Sequence, residues 1–311
     1  MPAFTLTARG PYSLRASARF LEGFAPAAYQ PAEDRQHLHW AFAVDGSDEV
    51  AGVCLRGDDR VRGEVFGDAD PKRVCAQVER VLSLDVDGRA FPEVARRDPV
   101  VATLQARYRG LRPVCFFSPY EAGAWALIGH RLRIRRAAQL KARISAALGP
   151  AVDIHGDRRH AFPSPAELVR LAGFPGLSDV KRERLRALAT AARDGLLDAA
   201  RLRSMSGDDA LADLKRLPGI GDFSAELILI RGAGEPDRLP EYEPRLLSAV
   251  ARAYGLEREP EQHELRSLAG RWRPYRSWVA VLLRTFLEDE TSDIRGQSHG
   301  RRSTHGPARG D

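Results

Sequence analysis

Leu217-Pro218-Gly219-Ile220-Gly221, here called the glycine hairpin, is followed after Asp222 by the apolar run Phe223-Ser224-Ala225-Glu226-Leu227-Ile228-Leu229. Two glycines around one aliphatic residue form a tight turn with bare backbone N–H groups, because neither glycine has a Cβ that would block approach. Exposed amides at the start of a helix favour an anion such as phosphate. The segment therefore predicts two helices joined by an anion-binding turn.

Apolar residues on both sides of the glycine hairpin support this interpretation. Leu211 and Leu214 precede it at helical spacing, and Ala225 and Ile228 follow it. An ordinary glycine-rich turn between packed helices would show the same pattern, so that alternative stays open. Phosphate binding through amides would be independent of base sequence and sensitive to salt. The candidate phosphate-binding positions are Leu217, Gly219, Ile220, Gly221 and Ser224.

A carboxylate, Glu243, lies further along the chain and directly before Pro244. Proline is favoured at the first position of a helix, so Glu243 is predicted to cap a helix. The helix dipole at that position favours a negative charge. Glu243 could alternatively do no more than complement that dipole. Glu241 is the second candidate, but Tyr242 separates the two and Glu241 is expected to face elsewhere.

Length and charge set broad limits on the fold and the partner. The 311 residues can form one large core or two smaller ones, so two domains are expected. The net charge of +6 and the pI of about 9.5 favour an anionic partner. Only four of the 48 basic residues are lysine. This arginine excess also fits a GC-rich coding genome and is therefore a weak functional signal.

Cysteine usage and the N-terminus indicate the cellular setting. Cys54, Cys75 and Cys115 are odd in number and widely spaced, so we expect no disulfide framework and no side-chain metal site. No leader is visible at the N-terminus, and no run approaches the ~18 apolar residues of a membrane span. We therefore expect a soluble, cytoplasmic, nucleoid-associated bacterial protein with no membrane partner.

A change in the hydrophobic pattern near residue 88 divides the chain into two regions, which a tail follows. Residues 1–88 are predicted to form an α+β domain, an antiparallel sheet with helices on one face, with helices over 13–24 and 71–82. Its strand-like runs are 38–44, 50–55 and 61–66. Residues 89–290 read as helices with hardly a strand candidate. The tail, 291–311, has no apolar residue after Ile294 and is predicted to be disordered.

Several helix boundaries can be predicted in the second region. Ser118-Pro119-Tyr120-Glu121 has the pattern of a capping box and starts a helix that breaks near Gly129-His130. A basic amphipathic helix then runs from Arg133 to Gly149. Further helices are predicted at 165–172, 179–193, 208–216, 222–231, 244–254, 261–269 and 274–289.

From about Pro11 to Glu290 the chain resembles the helix-hairpin-helix DNA glycosylase superfamily, and within it the 3-methyladenine DNA glycosylase II type. The segments that carry the resemblance are Leu84-Asp85-Val86-Asp87, Gly110-Leu111-Arg112-Pro113, Ser118-Pro119-Tyr120-Glu121-Ala122, Leu127-Ile128-Gly129-His130, the glycine hairpin, Leu229-Ile230-Arg231-Gly232, Leu239-Pro240 and Trp272-Arg273-Pro274-Tyr275-Arg276-Ser277. The resemblance implies a mainly α fold, in which a small α+β domain precedes a two-lobed helical domain with a cleft between the lobes.

The resemblance also implies chemistry. Such an enzyme flips a damaged base out of duplex DNA and hydrolyses its N-glycosidic bond. A carboxylate stabilises the oxocarbenium-like sugar. In the family this carboxylate is an aspartate at the head of a helix. Matching that helix places Glu243 there, one methylene longer, whereas counting from Pro240 would place Tyr242 there. We take Glu243 as the catalytic candidate.

Two absences relative to the family point to a monofunctional hydrolase. The bifunctional members carry a lysine two residues after the second hairpin glycine, where this chain has Phe223. The iron–sulfur members need four C-terminal cysteines, and none follows Cys115. No cofactor is expected beyond a monovalent cation on the hairpin carbonyls. The expected partner is double-stranded DNA containing damaged bases, bound by a monomer.

Family positions suggest a wedge that fills the vacated stack. Arg131 matches the apolar wedge, and His130, Leu132 and Arg133 flank it. Arginine can stack on bases and can bind phosphates, so both roles stay open. Arg245 could contact the DNA backbone or pair with Glu243. The basic series Arg133, Arg135, Arg136, Lys141 and Arg143 is predicted to contact phosphates, although a solvated helix face is the alternative.

Aromatic rings normally line the base pocket of this family and stack on cationic alkylated bases. The candidates here are Trp125, Phe223 and Tyr242, although Trp125 and Phe223 could instead be core residues. Arg284 matches a pocket tryptophan of the family, and a cation there would disfavour a positively charged base. The alternatives left open are a DNA binder without catalysis, a glycosylase for deaminated or oxidised bases, and a helical protein unrelated to DNA.

Overall fold

The computed structural model describes residues 1–23 and 37–291. A four-stranded antiparallel sheet forms near the N-terminus in the order β1-β4-β3-β2. Its strands are β1 Ala3–Thr7, β2 Leu38–Ala43, β3 Val50–Arg56 and β4 Arg60–Phe66. The three predicted strands are confirmed, and β1 was not predicted. The predicted tail from 292 onward and the predicted helical residue Phe24 lie outside the described residues.

Each face of the sheet has a different composition. Trp40, Val53 and Val65 are cross-strand partners and are buried in an apolar core. Helices α1 Leu14–Gly23 and α2 Pro71–Val81 contribute to the same core. Side chains alternate between faces along a strand, so the neighbouring row, His39, Cys54 and Glu64, points the opposite way.

A short β-hairpin covers that opposite face. Strands β5 Ala151–Ile154 and β6 Asp157–His160 pair antiparallel, and both contact the sheet. A Cβ on Gly52 would lie 2.7 Å from a methyl carbon of Val152, so glycine allows this close approach. The expectation of hardly a strand within residues 89–290 was therefore wrong. The proposed domain boundary near residue 88 stays a prediction.

The remainder of the described chain is helical. The helices are α3 Phe91–Arg97, α4 Pro99–Arg107, α5 Pro119–Gly129, α6 Ile134–Leu148, α7 Pro165–Val169, α8 Asp179–Arg193, α9 Ala199–Ser204, α10 Gly207–Lys215, α11 Asp222–Leu227, α12 Pro244–Tyr254, α13 Gln262–Ala269 and α14 Arg276–Thr291. A π-helical turn, Ile228–Gly232, continues α11. Helices α3, α4 and α9 were not predicted. All the other helices were predicted and are confirmed, with ends shifted by up to three residues when the π-helical turn is counted with α11.

One predicted cap differs from the structure. Ser118 accepts a hydrogen bond from the backbone N–H of Glu121, which is half of a capping box. The Glu121 carboxylate instead forms a buried ion pair with Lys141, with 2.6 Å between Nζ and Oε1. A reciprocal box forms at Ser164 and Glu167. The side chain of Glu121 therefore joins α5 to α6 and does not cap its own helix.

Two apolar cores organise the helices. One is built around α5, α8 and α11 and includes Leu127 and Ile220. The other is built around α12 and α14 and includes the buried aromatic residues Trp272, Tyr275 and Trp278. This division agrees with two helical lobes. Within residues 1–23 and 37–291, every helix is too short or too polar to cross a bilayer.

Candidate functional site

The glycine hairpin joins α10 to α11 and exposes both of its glycines. Gly219 has φ +86°, and a Cβ there would lie 2.6 Å from the Arg184 side chain, so the fold itself requires glycine. Gly221 differs, because its φ is −100° and a Cβ there would meet nothing within 4 Å. The packing of the described chain therefore gives no reason for glycine at 221.

The backbone amides of this turn are the feature that the sequence predicted. Ile220 is buried, and its N–H donates to the carbonyl of Leu217. The N–H groups of Gly219 and Gly221 have no hydrogen-bond acceptor among the described residues. Ser224 lies half-buried in the first turn of α11. The turn thus presents two unsatisfied donors at the start of a helix, which is the arrangement that binds anions.

A cavity of about 580 Å³ lies beside the glycine hairpin, between α5, α11, the loop before α12 and α14. All the residues predicted for the base pocket line it, together with two from the other predicted sets. These residues are Trp125, Phe223, Tyr242, Glu243, Arg245 and Arg284. Trp125 is almost buried and belongs to the core as well, whereas Phe223 and Tyr242 expose nearly half of their surfaces. Phe223 is therefore not a core residue.

Glu243 caps α12 at the wall of this cavity. Its Oε1 accepts the backbone N–H of Arg245 at 3.2 Å, as the Pro244 signal predicted. The same oxygen lies 2.7 Å from Nη1 of Arg284. Among the described residues, Oε2 has no hydrogen-bond partner. One carboxylate oxygen is therefore anchored, and the other is left for a ligand.

The ion partner of Glu243 is Arg284 and not Arg245. Arg284 on α14 also pairs with Glu288 one turn later, at 2.8 Å. The Arg245 side chain is exposed and makes no ion pair in the part of the chain that the structure describes. The three charges of Glu243, Arg284 and Glu288 sum to −1. The concern that Arg284 makes the pocket cationic is thus answered by its two carboxylate partners.

Glu226 is a site residue that the sequence did not reveal. It is 2 % exposed, and its two carboxylate oxygens accept the backbone N–H groups of Glu241 and Tyr242, at 3.1 and 2.9 Å. Burial raises the pKa of Glu226, although these two hydrogen bonds oppose the shift. The signal available in the sequence was the presence of a glutamate within the apolar run of α11, where a charged residue is unusual. Glu226 holds the loop that delivers Glu243.

Glu241, the second carboxylate candidate, faces away from the cavity. It forms a two-pronged ion pair with Arg266, at 2.6 and 3.0 Å, which lowers its pKa. It does not line the cavity. The expectation that Glu241 and Glu243 point in different directions agrees with this geometry.

The predicted wedge lies in the turn between α5 and α6. Helix α5 ends at Gly129 as expected, and the N–H of Leu132 closes the turn on the carbonyl of Gly129. Arg131 has φ +57°, a left-handed conformation that is uncommon for a residue with a side chain. His130, Arg131 and Arg133 are exposed. None of the wedge candidates lines the cavity, but Ile134 at the start of α6 does.

The residues of the basic series on α6 do not form one exposed surface. Arg133, Arg135 and Arg136 are exposed, whereas Lys141 is buried against Glu121. The prediction that Lys141 contacts phosphate was therefore wrong, because its ammonium group faces the interior. Arg143 lies over the ring of Phe174, 5.6 Å from its centre.

The known proteins that are similar to this chain in sequence include DNA repair enzymes. A probable bifunctional transcriptional activator/DNA repair enzyme AlkA of Mycobacterium tuberculosis is 30% identical over 217 residues, covering 68% of this chain and 42% of that protein. The chain thus spans less than half of the length of that relative. The DNA-3-methyladenine glycosylase 2 of Escherichia coli is 27% identical over 290 residues, covering 89% of this chain and 95% of the other. No protein-family model matches.

Solved structures agree on the fold. The 3-methyladenine DNA-glycosylase of Archaeoglobus fulgidus superposes with a TM-score of 0.74 at 20% identity, covering 94% of this chain and 99% of that one. An 8-oxoguanine glycosylase/lyase of Clostridium acetobutylicum, solved in complex with double-stranded DNA, has a TM-score of 0.62 at 16% identity over 86% and 91% of the two chains. The expected architecture is therefore confirmed.

Proposed function

We propose that the chain is a member of the helix-hairpin-helix DNA glycosylase superfamily and that it hydrolyses the N-glycosidic bond of an alkylated base flipped out of duplex DNA. The observation that carries the proposal is the position of Glu243. Its carboxylate stands at the wall of a cavity of about 580 Å³, and a turn with bare amides lies beside that cavity.

Glu243 would act on the sugar of the flipped nucleotide. As the base departs, positive charge develops on the sugar, and a carboxylate fixed nearby stabilises that charge. Arg284 and the α12 amide hold Oε1, so Oε2 can face the sugar or a water molecule. A group held in place before the reaction loses little entropy at the transition state.

The exposed rings of the cavity suit a cationic base. The rings of Phe223 and Tyr242 can stack on a positively charged ring, and Glu243 and Glu288 offset the charge of Arg284 between them. The two relatives named for 3-methyladenine glycosylase activity support an alkylated purine as the substrate.

The proposed enzyme is monofunctional. A lyase needs an amine that attacks the sugar, and Phe223 stands at the position where the bifunctional members carry lysine. No lysine is found among the described residues that line the cavity. We propose a monomer that grips the DNA backbone through the glycine hairpin and inserts the turn around Arg131 into the duplex. The cation on the hairpin carbonyls stays a prediction.

The test measures release of free base from alkylated duplex DNA under single-turnover conditions. Glu243→Gln should slow release by at least about 10²-fold, as loss of a charge-stabilising group does in other enzymes, and should leave DNA affinity unchanged. The matched control is Glu241→Gln, two residues away, which should keep full activity. Equal rates for wild type and Glu243→Gln would refute the catalytic role.

One observation favours a second candidate function. The ion pair between Glu243 and Arg284 weakens the charge available to a sugar cation. If wild type releases no base from alkylated, deaminated or oxidised duplexes yet binds DNA in a salt-dependent manner, the protein is a DNA-structure binder that has lost the chemistry.

A further inference from the structure

Metal-binding residue types gather on the sheet face that the β-hairpin covers. His39 on β2, Cys54 on β3 and Glu64 on β4 are direct cross-strand partners in one row. His37 precedes His39 by two residues and so lies on the same side of the chain. His155 is in the turn between β5 and β6, with φ +53°. Three strands and one turn thus converge at a point that does not line the cavity.

The potential ligand atoms are close together. One ligand atom each from His37, His39 and Cys54 lies within 4.8 Å of the others, and the same holds for Cys54, Glu64 and His155. Cys54 is common to both groups, is 1 % exposed and carries a thiol. The rings of His39 and His155 are 6.1 Å apart between centres, and those of His37 and His39 are 6.2 Å apart.

The hydrogen bonds of His39 leave one of its ring nitrogens without a partner. Its Nδ1 lies 2.9 Å from Asp157 on β6, which in turn pairs with Arg159 at 2.6 Å. A carboxylate partner places the ring proton on Nδ1 and leaves a lone pair on Nε2. That Nε2 is buried and has no partner among the described residues, in a side chain that is 8 % exposed.

A buried polar atom without a partner is rare and asks for an explanation. A carboxylate that orients the outer nitrogen of a histidine is the usual arrangement behind a metal-bound imidazole. The Asp157–His39 pair has this form, and Cys54 is the direct cross-strand partner of His39.

We propose that this cluster binds one zinc ion through His39, Cys54 and His37, with His155 or Glu64 as the fourth ligand. Imidazole and thiolate donors in a four-ligand set suit zinc better than magnesium or calcium. Zinc bonds of about 2.0–2.3 Å place tetrahedral ligands about 3.3–3.8 Å apart. The groups therefore move together slightly on binding. Cys54 binds as the thiolate, and its proton is released to solvent.

The proposed ion would fasten the β-hairpin to the sheet. His155 and Glu64 contact each other at 2.9 Å across this boundary, and the ion would replace that contact with a coordinate bond to one of them. The role is structural and does not depend on the proposed glycosylase activity. The sequence prediction of no metal site was based on cysteine spacing, whereas the signal here is His37-x-His39 with a cysteine on the next strand.

The test uses the full chain without a polyhistidine tag, stripped of metal with a chelator. Zinc is titrated and counted by native mass spectrometry, and Co(II) serves as the spectroscopic probe. We expect one bound ion, tetrahedral Co(II) bands and a thiolate-to-cobalt band. Cys54→Ser should abolish the thiolate band, and His39→Gln should weaken zinc binding at least tenfold. Asp157→Asn should weaken it about 10–100-fold, as loss of an orienting carboxylate typically does.

The matched control is Cys75→Ser, because Cys75 is a half-buried thiol outside the cluster and should leave every reading unchanged. Retention of the thiolate band in Cys54→Ser, or substoichiometric zinc on wild type, would overturn the proposal. If Cys54→Ser does not fold, the wild-type spectrum decides, since a Co(II) complex without a thiolate band also overturns it.

Discussion

The glycine hairpin and the loop before α12 lie on the same side of the molecule and both lead into a helix, but they present different chemistry. The glycine hairpin offers backbone N–H groups at its two glycines, which have no side chain, and the side chain of Ile220 between them is buried in the core. The loop offers one side chain, Glu243, whose own backbone only caps the helix. The glycine hairpin thus acts through backbone that side chains leave uncovered, whereas the loop acts through one positioned side chain.

The difference shows what each region depends on. Local conformation is sufficient to form the glycine hairpin, because Gly219 and Gly221 create the bare amides by themselves. The carboxylate of Glu243 is positioned by Glu226 on α11 and by Arg284 on α14, which are distant in the sequence. A backbone site should therefore tolerate side-chain changes that do not add bulk, whereas the carboxylate site should be sensitive to changes in its supports.

Glu243→Asp should give the largest effect that leaves a carboxylate in place. Removing one methylene withdraws the group from Arg284 and from the cavity, and a misplacement of about 1 Å can cost about 10²-fold in rate. Base release under single turnover should fall by that order while DNA affinity is unchanged. A rate equal to wild type would show that the Arg284 contact does not set the position, and Glu241→Asp serves as the control.

Glu226→Gln should weaken the hydrogen bonds that hold the loop before α12, while the carboxylate of Glu243 itself is unchanged. Glutamine can accept only one of the two backbone N–H groups, and the loss of about 1.5 kcal/mol for a bond to a charged acceptor corresponds to about tenfold. We expect a tenfold slower base release at unchanged DNA affinity. A fall in affinity with an unchanged rate would place Glu226 in DNA binding instead.

Gly221→Ala should affect binding and not the reaction. The added methyl group meets nothing in the protein, so the free energy of unfolding should stay within about 0.5 kcal/mol of wild type. Blocking one amide–phosphate bond of about 1 kcal/mol should weaken DNA affinity about fivefold. The matched control is Gly270→Ala, which also adds a methyl group into open space, away from the glycine hairpin. Unchanged affinity in Gly221→Ala would mean that phosphate does not approach there.

Arg135→Ala should have the smallest effect. Arg135 is exposed on α6 next to the cavity-lining Ile134. Loss of one phosphate contact should reduce the slope of log affinity against log salt by about 0.9. The affinity itself should fall about two- to threefold. Arg62→Ala, an exposed arginine on the sheet, is the control and should leave the slope unchanged.

The sequence was sufficient wherever a local rule determines the structure. Short strand-like runs predicted β2, β3 and β4, the paired glycines predicted the helix–turn–helix unit, and Pro244 predicted the cap at Glu243. It failed where partners come from distant segments. Strands β5 and β6 have four residues each and little apolar pattern, and the contacts that hold them, their packing on Gly52 and the His39–Asp157 contact, join segments that are distant in the sequence. Likewise, only the fold determines that Arg284, and not the adjacent Arg245, meets Glu243.

The covering of the sheet by the β-hairpin has a consequence for biosynthesis. The sheet strands are translated first, and the β-hairpin that covers their second face follows roughly 5 to 20 s later at about 5–20 residues per second. During that interval Gly52, Cys54 and the His39 ring face water, and this uncovered face of the sheet can associate with other chains. A ribosome-associated chaperone that shields this face would therefore raise the yield of folded protein, and the benefit should grow when translation is slowed between residues 66 and 160.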